Sequence, residues 1–338
     1  MALQTVKKNL KMYPVSIAPM MDWTDRHYRY FMRQITKKTL LYTEMVTTGA
    51  ILFGDKDKHL GFSDIESPLV LQLGGDDPTQ LSECAKIAQS YGYTEINLNV
   101  GCPSERVQKG NFGACLMATP ELVGECVARM QDVVDIPVTV KHRIGIDNND
   151  SYEELHNFVK IVSSYGCQRF VVHARKAILK GLSPRENRTI PPLKYDFVYN
   201  LKKDFPDLII EINGGIKTLD EVKEHLKYTD SVMLGRIAYE NPYIFARVDS
   251  EIFGENTEVP SRREIIENMI PYLEDNLKKD IWVNRTIIHI LGLFNNQPGS
   301  KLWKRYLSEN MHKRNTDPSI LAEALKMMPD DILDSRDF

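Results

Sequence analysis

The chain lacks the features that mark several large protein classes. No Cys-x-x-Cys pair occurs, and the five cysteines (Cys84, Cys102, Cys115, Cys126 and Cys167) are odd in number. That argues against a disulfide framework and against a structural zinc site, and it favours a reducing, cytoplasmic setting with no metal. No apolar run reaches the length of about 18 residues that a membrane helix needs, so no membrane contact is expected. The lysine-containing start, Met1 to Pro14, has no apolar stretch of signal-peptide length. Net charge is scarce as well: 43 basic against 46 acidic side chains leave −3, so a polyanion would have to be held by local patches. Internal repeats and low-complexity tracts are absent. So is a Gly-x-Gly-x-x-Gly after the first candidate strand, which weakens an open dinucleotide-binding sheet.

What is present is a long alternation. Short apolar runs at Val15–Ala18, Leu40–Glu44, Leu69–Leu73, Glu95–Val100, Val138–His142, Phe170–His173, Leu208–Ile212 and Ser231–Leu234 read as strands. Between most of them lie helical spacings, such as Leu81–Ala88, Leu122–Met130, Leu155–Val162 and Leu219–Leu226. Thr119-Pro120 reads as a cap followed by a first-turn proline, and Ser151 to Glu154 as a capping box. Eight strand–helix units within about 240 residues predict a TIM (β/α)8 barrel. After about Asn241 the pattern changes. A polar stretch from Phe253 to Pro260 precedes segments that are helical throughout: Arg263–Asp280, Trp282–Leu293, Lys301–Asn310 and Pro318–Met328. The expected organisation is a catalytic barrel over residues 1–250 and a small helical bundle over 261–338.

In this fold the chemistry collects where strands end. Those ends carry Pro19, Met20 and Met21; Gln72; Asn99 and Cys102; Lys141; His173; Asn213, Gly214 and Gly215; and Gly235 with Arg236. Glycines after strands 7 and 8, with the Arg236 cation, suit a phosphate group, because the backbone N–H groups can approach it closely. A lysine ending an apolar strand needs an anion to offset its burial. Gln72 offers a donor and an acceptor to the edge of a heteroaromatic ring. Cys84 and Cys126 fall in helical patterns and read as core residues, whereas Cys102 alone lies in a glycine- and proline-bounded loop at the catalytic face. From spacing alone that thiol could be a nucleophile or a general acid. Two clusters are basic. Arg169 to Arg188 holds six cations against Glu186, and Arg285 to Arg314 holds six against Glu309, each a local +5. Such patches suit phosphate contacts.

Specific runs then resemble a known family. Ala18-Pro19-Met20-Met21-Asp22-Trp23-Thr24-Asp25 resembles the opening of tRNA-dihydrouridine synthases. Asn97 to Ser104, with Arg106-Val107-Gln108 and Gly113 to Met117, resembles their central signature. Val140 to Arg143, Val172 to Arg175, Asn213 to Ile216 and Leu234 to Arg236 extend the likeness from about Val15 to Leu307. Asp22 to His27 and His289 to Phe294 are similar to the 20/20a subfamily, although Lys301 and Lys304 stand where arginines are expected and lack the planar fork.

The resemblance implies an FMN cofactor, NADPH as reductant and tRNA as partner, with no obligate protein partner. The implied reaction reduces the C5–C6 bond of uridines 20 and 20a in the D-loop: hydride passes from reduced flavin to C6, and Cys102 protonates C5. Flavin contacts carried over by residue are Pro19, Met20, Met21, Gln72, Lys141, His173, Asn213, Gly214, Gly215, Gly235 and Arg236; tRNA contacts are Asn99, Arg185, Arg188, Lys301 and Lys304. Trp303 and Tyr306 read as packing residues. Two other readings stay open here: a flavin-dependent reductase of a free pyrimidine, against which the basic C-terminal segment speaks, and a barrel that binds RNA without catalysis.

Overall fold

The structure is a computed structural model that describes residues 10–313 and 316–337. Arg314 of the second basic cluster and most of the lysine-containing start lie outside the described residues. Eight parallel strands form one sheet: β1 (Val15–Ile17), β2 (Leu41–Thr47), β3 (Leu69–Gly74), β4 (Glu95–Val100), β5 (Val138–Arg143), β6 (Arg169–His173), β7 (Ile209–Asn213) and β8 (Ser231–Leu234). The order β1-β8-β7-β6-β5-β4-β3-β2 makes neighbours of the first and last strands. The remaining seam is closed by Ile17 N donating to Leu40 O at 3.0 Å and Leu40 N donating to Val15 O at 3.1 Å. The sheet is therefore a TIM barrel, as the strand–helix alternation predicts.

Side chains alternate across each strand, and here the alternation has a chemical meaning. One face of β4 to β7 is apolar and buried: Ile96, Leu98, Val138, Val140, Phe170, Val172, Ile210 and Ile212. The other face carries polar groups that bond to one another across strands. Arg169 pairs with Glu95 at 2.8 Å, Thr139 donates to Glu95 at 2.7 Å, and Ser16 donates to Glu211. Several strands run beyond the expected bounds, β2 to Thr47, β3 to Gly74, β5 to Arg143, β6 back to Arg169 and β7 to Asn213.

The expected helices are present. Pro78–Ser90 and Pro120–Gln131 bury Cys84 and Cys126, as their helical spacing predicts. The Ser151 capping box forms on Tyr152–Ser164. Thr119 does not cap Pro120–Gln131. Its hydroxyl turns back to Leu116 O at 3.4 Å, and only the proline half of that expected signal holds.

The chain divides into two compact units. The first comprises Met1–Met20, Leu40–Phe62 and Ser67–Gly235 and contains the whole barrel. The second comprises Met21–Thr39, Ser63–Glu66 and Arg236–Phe338. Its helices include Arg26–Ile35, Arg262–Leu277, Asn284–Ile290, Ser300–Asn310 and Ser319–Leu325. Helix Arg26–Ile35, the connection between β1 and β2, thus packs with the C-terminal helices: Tyr30 stacks on Tyr272 at 3.8 Å and the His27 ring nitrogen meets the Tyr272 hydroxyl at 2.8 Å. Segment Ser63–Glu66 joins the same unit through a buried Arg29–Glu66 pair at 2.7 Å. Trp303 is fully buried, edge-on to Phe294 at 4.7 Å, in the packing role its sequence position suggests.

Candidate active site

At the C-terminal end of β4 the chain enters the loop that holds Cys102. Asn99 builds that loop: its Oδ1 accepts from Gly101 N at 3.1 Å and from Cys102 N at 3.0 Å, while its Nδ2 donates to Gln72 Oε1 at 2.8 Å. Three of the four hydrogen bonds an asparagine can make are thereby used, which leaves one N–H for anything bound above it. Gln72 in turn donates to Asn97 at 2.9 Å, and Asn97 donates to Thr139 at 2.9 Å. A row of side-chain amides on β3 and β4, ending on the Thr139 hydroxyl of β5, thus holds the cysteine loop from below. Such a chain fixes orientation because each member is oriented by the next.

The loop is held from its other sides too. Cys102 O accepts from Ala114 N at 2.9 Å. Gly113 makes this possible: its φ is +74°, and a Cβ there would lie 2.6 Å from Cys102 O and 2.4 Å from Val107 Cγ1. Gln108 Nε2 donates to Pro103 O at 2.8 Å and to Leu179 O at 2.9 Å. The Cys102 thiol is half-buried, with the Ser104 hydroxyl 3.5 Å away. Cys115 is half-buried, its thiol on Phe112 O, and Cys167 is buried just before β6.

Arg143, at the end of β5, is the central clamp. Its Nε donates to Gly101 O at 2.8 Å, and its Nη1 donates to Lys176 O and Asn187 O, each at 3.0 Å. One guanidinium therefore ties the cysteine loop to the segment that carries Arg185 and Arg188. Burial pushes Arg143 down to about 10, which leaves it charged at neutral pH. Asn187 fixes the same segment through Ile178, accepting from its N at 2.7 Å and donating to its O at 2.9 Å. Arg185 and Arg188 stand exposed on either side of it.

Lys141 precedes Arg143 by two residues and faces the same way. Its ammonium donates to Asn213 Oδ1 at 3.3 Å, and Asn213 Nδ2 donates to Met233 O at 2.8 Å. Burial lowers Lys141 to about 8, with the Arg143 cation adding to the effect and Glu211 opposing it. His173 is held well below its usual value by burial and by the Arg143 and Lys141 cations, so its ring is neutral at pH 7. Its Nδ1 is buried with no hydrogen-bond partner among the described residues. Gly214 and Gly215 follow Asn213 at φ +121° and +78°, and a Cβ on Gly214 would lie 3.5 Å from His173 Nε2. A Cβ on Gly235 would meet nothing within 4 Å, so backbone is open there.

The structure therefore brings together Gln72, Asn99, the Cys102 loop, Lys141, His173, Asn213 and Gly214 within the barrel unit. Pro19, Met20 and Gly235 lie at the ends of the adjacent strands β1 and β8, while Met21, Arg236, Lys301 and Lys304 belong to the second unit. There Lys301 is exposed, and Lys304 reaches Asn295 Oδ1 at 3.4 Å. Arg143, Asn97, Thr139, Gln108 and Glu211 were given no role by motif reading. A signal for most of them exists in the sequence: Glu95, Asn97 and Asn99, then Thr139, Lys141 and Arg143, place polar residues at every second position of otherwise apolar strands.

Residues 16–329 match the family model described as dihydrouridine synthase. A tRNA-dihydrouridine(20/20a) synthase of Synechocystis is 61% identical over 93% of this chain and 94% of that relative. One of Vibrio parahaemolyticus is 58% identical over 94% of this chain and 98% of its own length. Among solved structures, a 2-naphthoyl-CoA reductase in complex with 2-naphthoyl-CoA shares the fold, with a TM-score of 0.55 and 10% identity over 71% of this chain and 51% of that one.

Proposed function

Because this chain belongs to the dihydrouridine synthase family, we propose that it reduces the C5–C6 bond of uridines 20 and 20a in the D-loop of tRNA, with FMN as cofactor, NADPH as reductant and Cys102 as proton donor. The observation that carries the reading is the thiol placed by Asn99, Gly113 and Arg143 on the barrel face where Lys141 and His173 also end. Family likeness to relatives named for uridines 20 and 20a supplies the substrate.

The residues present fit a flavin. His173 has a buried nitrogen without a partner among the described residues, Lys141 is a half-buried cation with one long hydrogen bond, and Gly235 opens the backbone where a phosphate would sit. Lys141, His173, Gln72 and Asn213 would hold the ring; Gly214, Gly215, Gly235 and Arg236 would hold the phosphate, beside Pro19, Met20 and Met21. When bound, reduced flavin supplies hydride, the one component that side chains cannot provide. The protein's own part is the rest of the chemistry. Lys141 and Arg143 keep the site cationic, which favours negative charge developing on the pyrimidine. Hydride arrival at C6 makes C5 basic, and the Cys102 Sγ proton moves to it. The target base must leave its stack to reach the site.

Residues 261–338 are proposed as a part that holds tRNA, through Lys301 and Lys304, and Arg185 and Arg188 of the barrel unit are proposed as further tRNA contacts. Exposed cations there suit backbone phosphates, which position rather than specify. The test is dihydrouridine content, by mass spectrometry, of tRNA incubated with the purified protein and NADPH. Cys102→Ala should retain its flavin and lose most turnover on tRNA. Activity on free uracil with none on tRNA would overturn the reading, and full activity of Cys102→Ala would remove the thiol from the reaction.

A further inference from the structure

Two runs that carry the subfamily likeness, Asp22 to His27 and His289 to Phe294, are left without a task by the chemistry above. In the second unit they meet. Asp25 caps helix Arg26–Ile35, its Oδ1 accepting from His27 N at 2.9 Å and Tyr28 N at 3.0 Å, and the same oxygen lies 3.1 Å from His289 Nε2. His289 Nδ1 faces the Tyr239 hydroxyl at 3.1 Å, and that hydroxyl also donates to Ile288 O at 3.3 Å. Tyr239 is thereby locked in the plane of its ring.

On that locked ring lies Trp23, with centroids 4.3 Å apart and planes within 13°. Tyr28 leans on Tyr239 at 5.5 Å, its own hydroxyl bonded to Ala238 O at 2.8 Å. Tyr28 is fully buried whereas Tyr239 and Trp23 are half-buried, so the ring cluster runs from the core toward the surface. Trp23 comes two residues after Met21, at the exit of β1, and Tyr239 comes four residues after Gly235, at the exit of β8; β1 and β8 are paired strands. In chain order Trp23 and Tyr239 thus follow directly on the two strand ends at which flavin contacts are expected. The helix that supplies His289 also presents exposed Arg285, next to exposed Trp282.

A cluster of this kind has little structural need of its last ring. A half-buried indole stacked on a fixed ring offers a flat π-face at low entropic cost, and an unpaired nucleobase is the flat ring that RNA offers in return. We propose that Trp23 is a stacking platform for an unpaired D-loop base next to the uridine that is reduced. This rests on the reading of the chain as a tRNA uridine reductase. It adds the contact that selects which loop nucleotide enters.

The test is a binding cycle between Trp23 and the RNA. Each unpaired D-loop nucleotide flanking the target is replaced in turn by an abasic residue, and Kd is measured for wild type, Trp23→Leu and Trp23→Phe. One abasic position should weaken wild-type binding about tenfold, within the range for one base–aromatic stack. Trp23→Leu should show the same loss on intact tRNA and no further loss on that abasic RNA, whereas Trp23→Phe should retain most of the affinity. If Trp23→Leu fails to fold, Trp23→Phe carries the test, because a smaller ring should shrink the penalty at that position alone. Equal behaviour of Leu and Phe, additive losses at every position, or a raised KM for NADPH with tRNA affinity intact would overturn the platform. The last outcome would assign the indole to the nicotinamide. Dihydrouridine formation by wild type on intact tRNA separates the two failures: its absence sinks the parent reading, and its presence with an additive cycle sinks only the platform.

Discussion

Replacing Arg143 tests whether the cysteine loop is held by the strand below it. Its guanidinium serves three carbonyls, Gly101 O at 2.8 Å and Lys176 O and Asn187 O at 3.0 Å, and its side chain is almost wholly buried. Each carbonyl stranded in a buried setting costs about 1–3 kcal/mol. The three share one donor group and would relax together, so the sum is not additive. Loss of burial cost for the cation offsets part of it, since a buried charge is expensive to maintain. Arg143→Met is therefore expected to lower unfolding free energy by about 3 kcal/mol. Arg143→Lys should lose less, because an ammonium can serve one or two of the carbonyls but cannot span all of them in the geometry of a planar fork. Urea unfolding followed by circular dichroism measures this, with the slope required to stay constant between variants. Turnover on tRNA should fall in both variants by more than flavin content does, because the Cys102 loop loses its anchor while His173 and Lys141 stay in place. An unfolding free energy for Arg143→Met within about 0.5 kcal/mol of wild type would refute the reasoning, since that is the range of an uninvolved surface change.

Other expectations follow from the same barrel interior. Burial pushes the Glu211 carboxyl from 4.5 up to about 7, with Arg169 and Ser16 opposing it. A folded value above the unfolded one means that stability present below about pH 4.5 is lost as pH rises through about 7, by roughly 3 kcal/mol at about 1.4 kcal/mol per unit. Glu211→Gln should flatten that part of the stability–pH curve; parallel curves for variant and wild type would count against it. Arg169→Met leaves Glu95 buried without its cation and should cost about 3–5 kcal/mol in thermal or urea unfolding, with much of this recovered in the Arg169→Met, Glu95→Leu double variant. An unchanged single variant would mean the pair is not buried. Gly113→Ala places a Cβ against Cys102 O and should depress tRNA turnover while flavin stays bound; normal turnover would show that the loop tolerates the shift.

The barrel was legible because short apolar runs alternate with period-3.6 spacings over most of the stretch from Val15 to Leu234, and no competing phosphate loop follows β1. Helices Arg262–Leu277, Asn284–Ile290, Ser300–Asn310 and Ser319–Leu325 were legible from their apolar spacing, whereas the short helices Ile237–Glu240, Val248–Glu251 and Asp330–Asp334 were not. The membership of helix Arg26–Ile35 in the second unit was not, since its partners, Tyr272 and Glu66, are remote in sequence and nothing local distinguishes that helix from any other barrel crossover. Thr119 shows the opposite case: the residue type was right for a cap, but its hydroxyl found Leu116 O first. At the site, residues that end strands could be named from position, whereas Arg143 and Asn97 act on backbone and amide groups of other strands, and only folding reveals those partners. The Asp25–His289 pair joins residues 264 positions apart by the same kind of long-range contact.

Helix Arg26–Ile35 also sets a schedule. It is synthesised before seven of the eight barrel strands, and Arg262–Leu277, whose Tyr272 stacks on Tyr30, follows about 230 residues later. At synthesis rates of about 5–20 residues per second, the wait is roughly 10–45 seconds. During that time the face of the helix that will receive Tyr272 is without its cover, although β1 and β2 on either side of it can already be pairing with later strands. Nascent chains of this protein stalled before residue 262 are thus expected to be the ones that chaperones hold, and release should coincide with emergence of the helix that carries Tyr272.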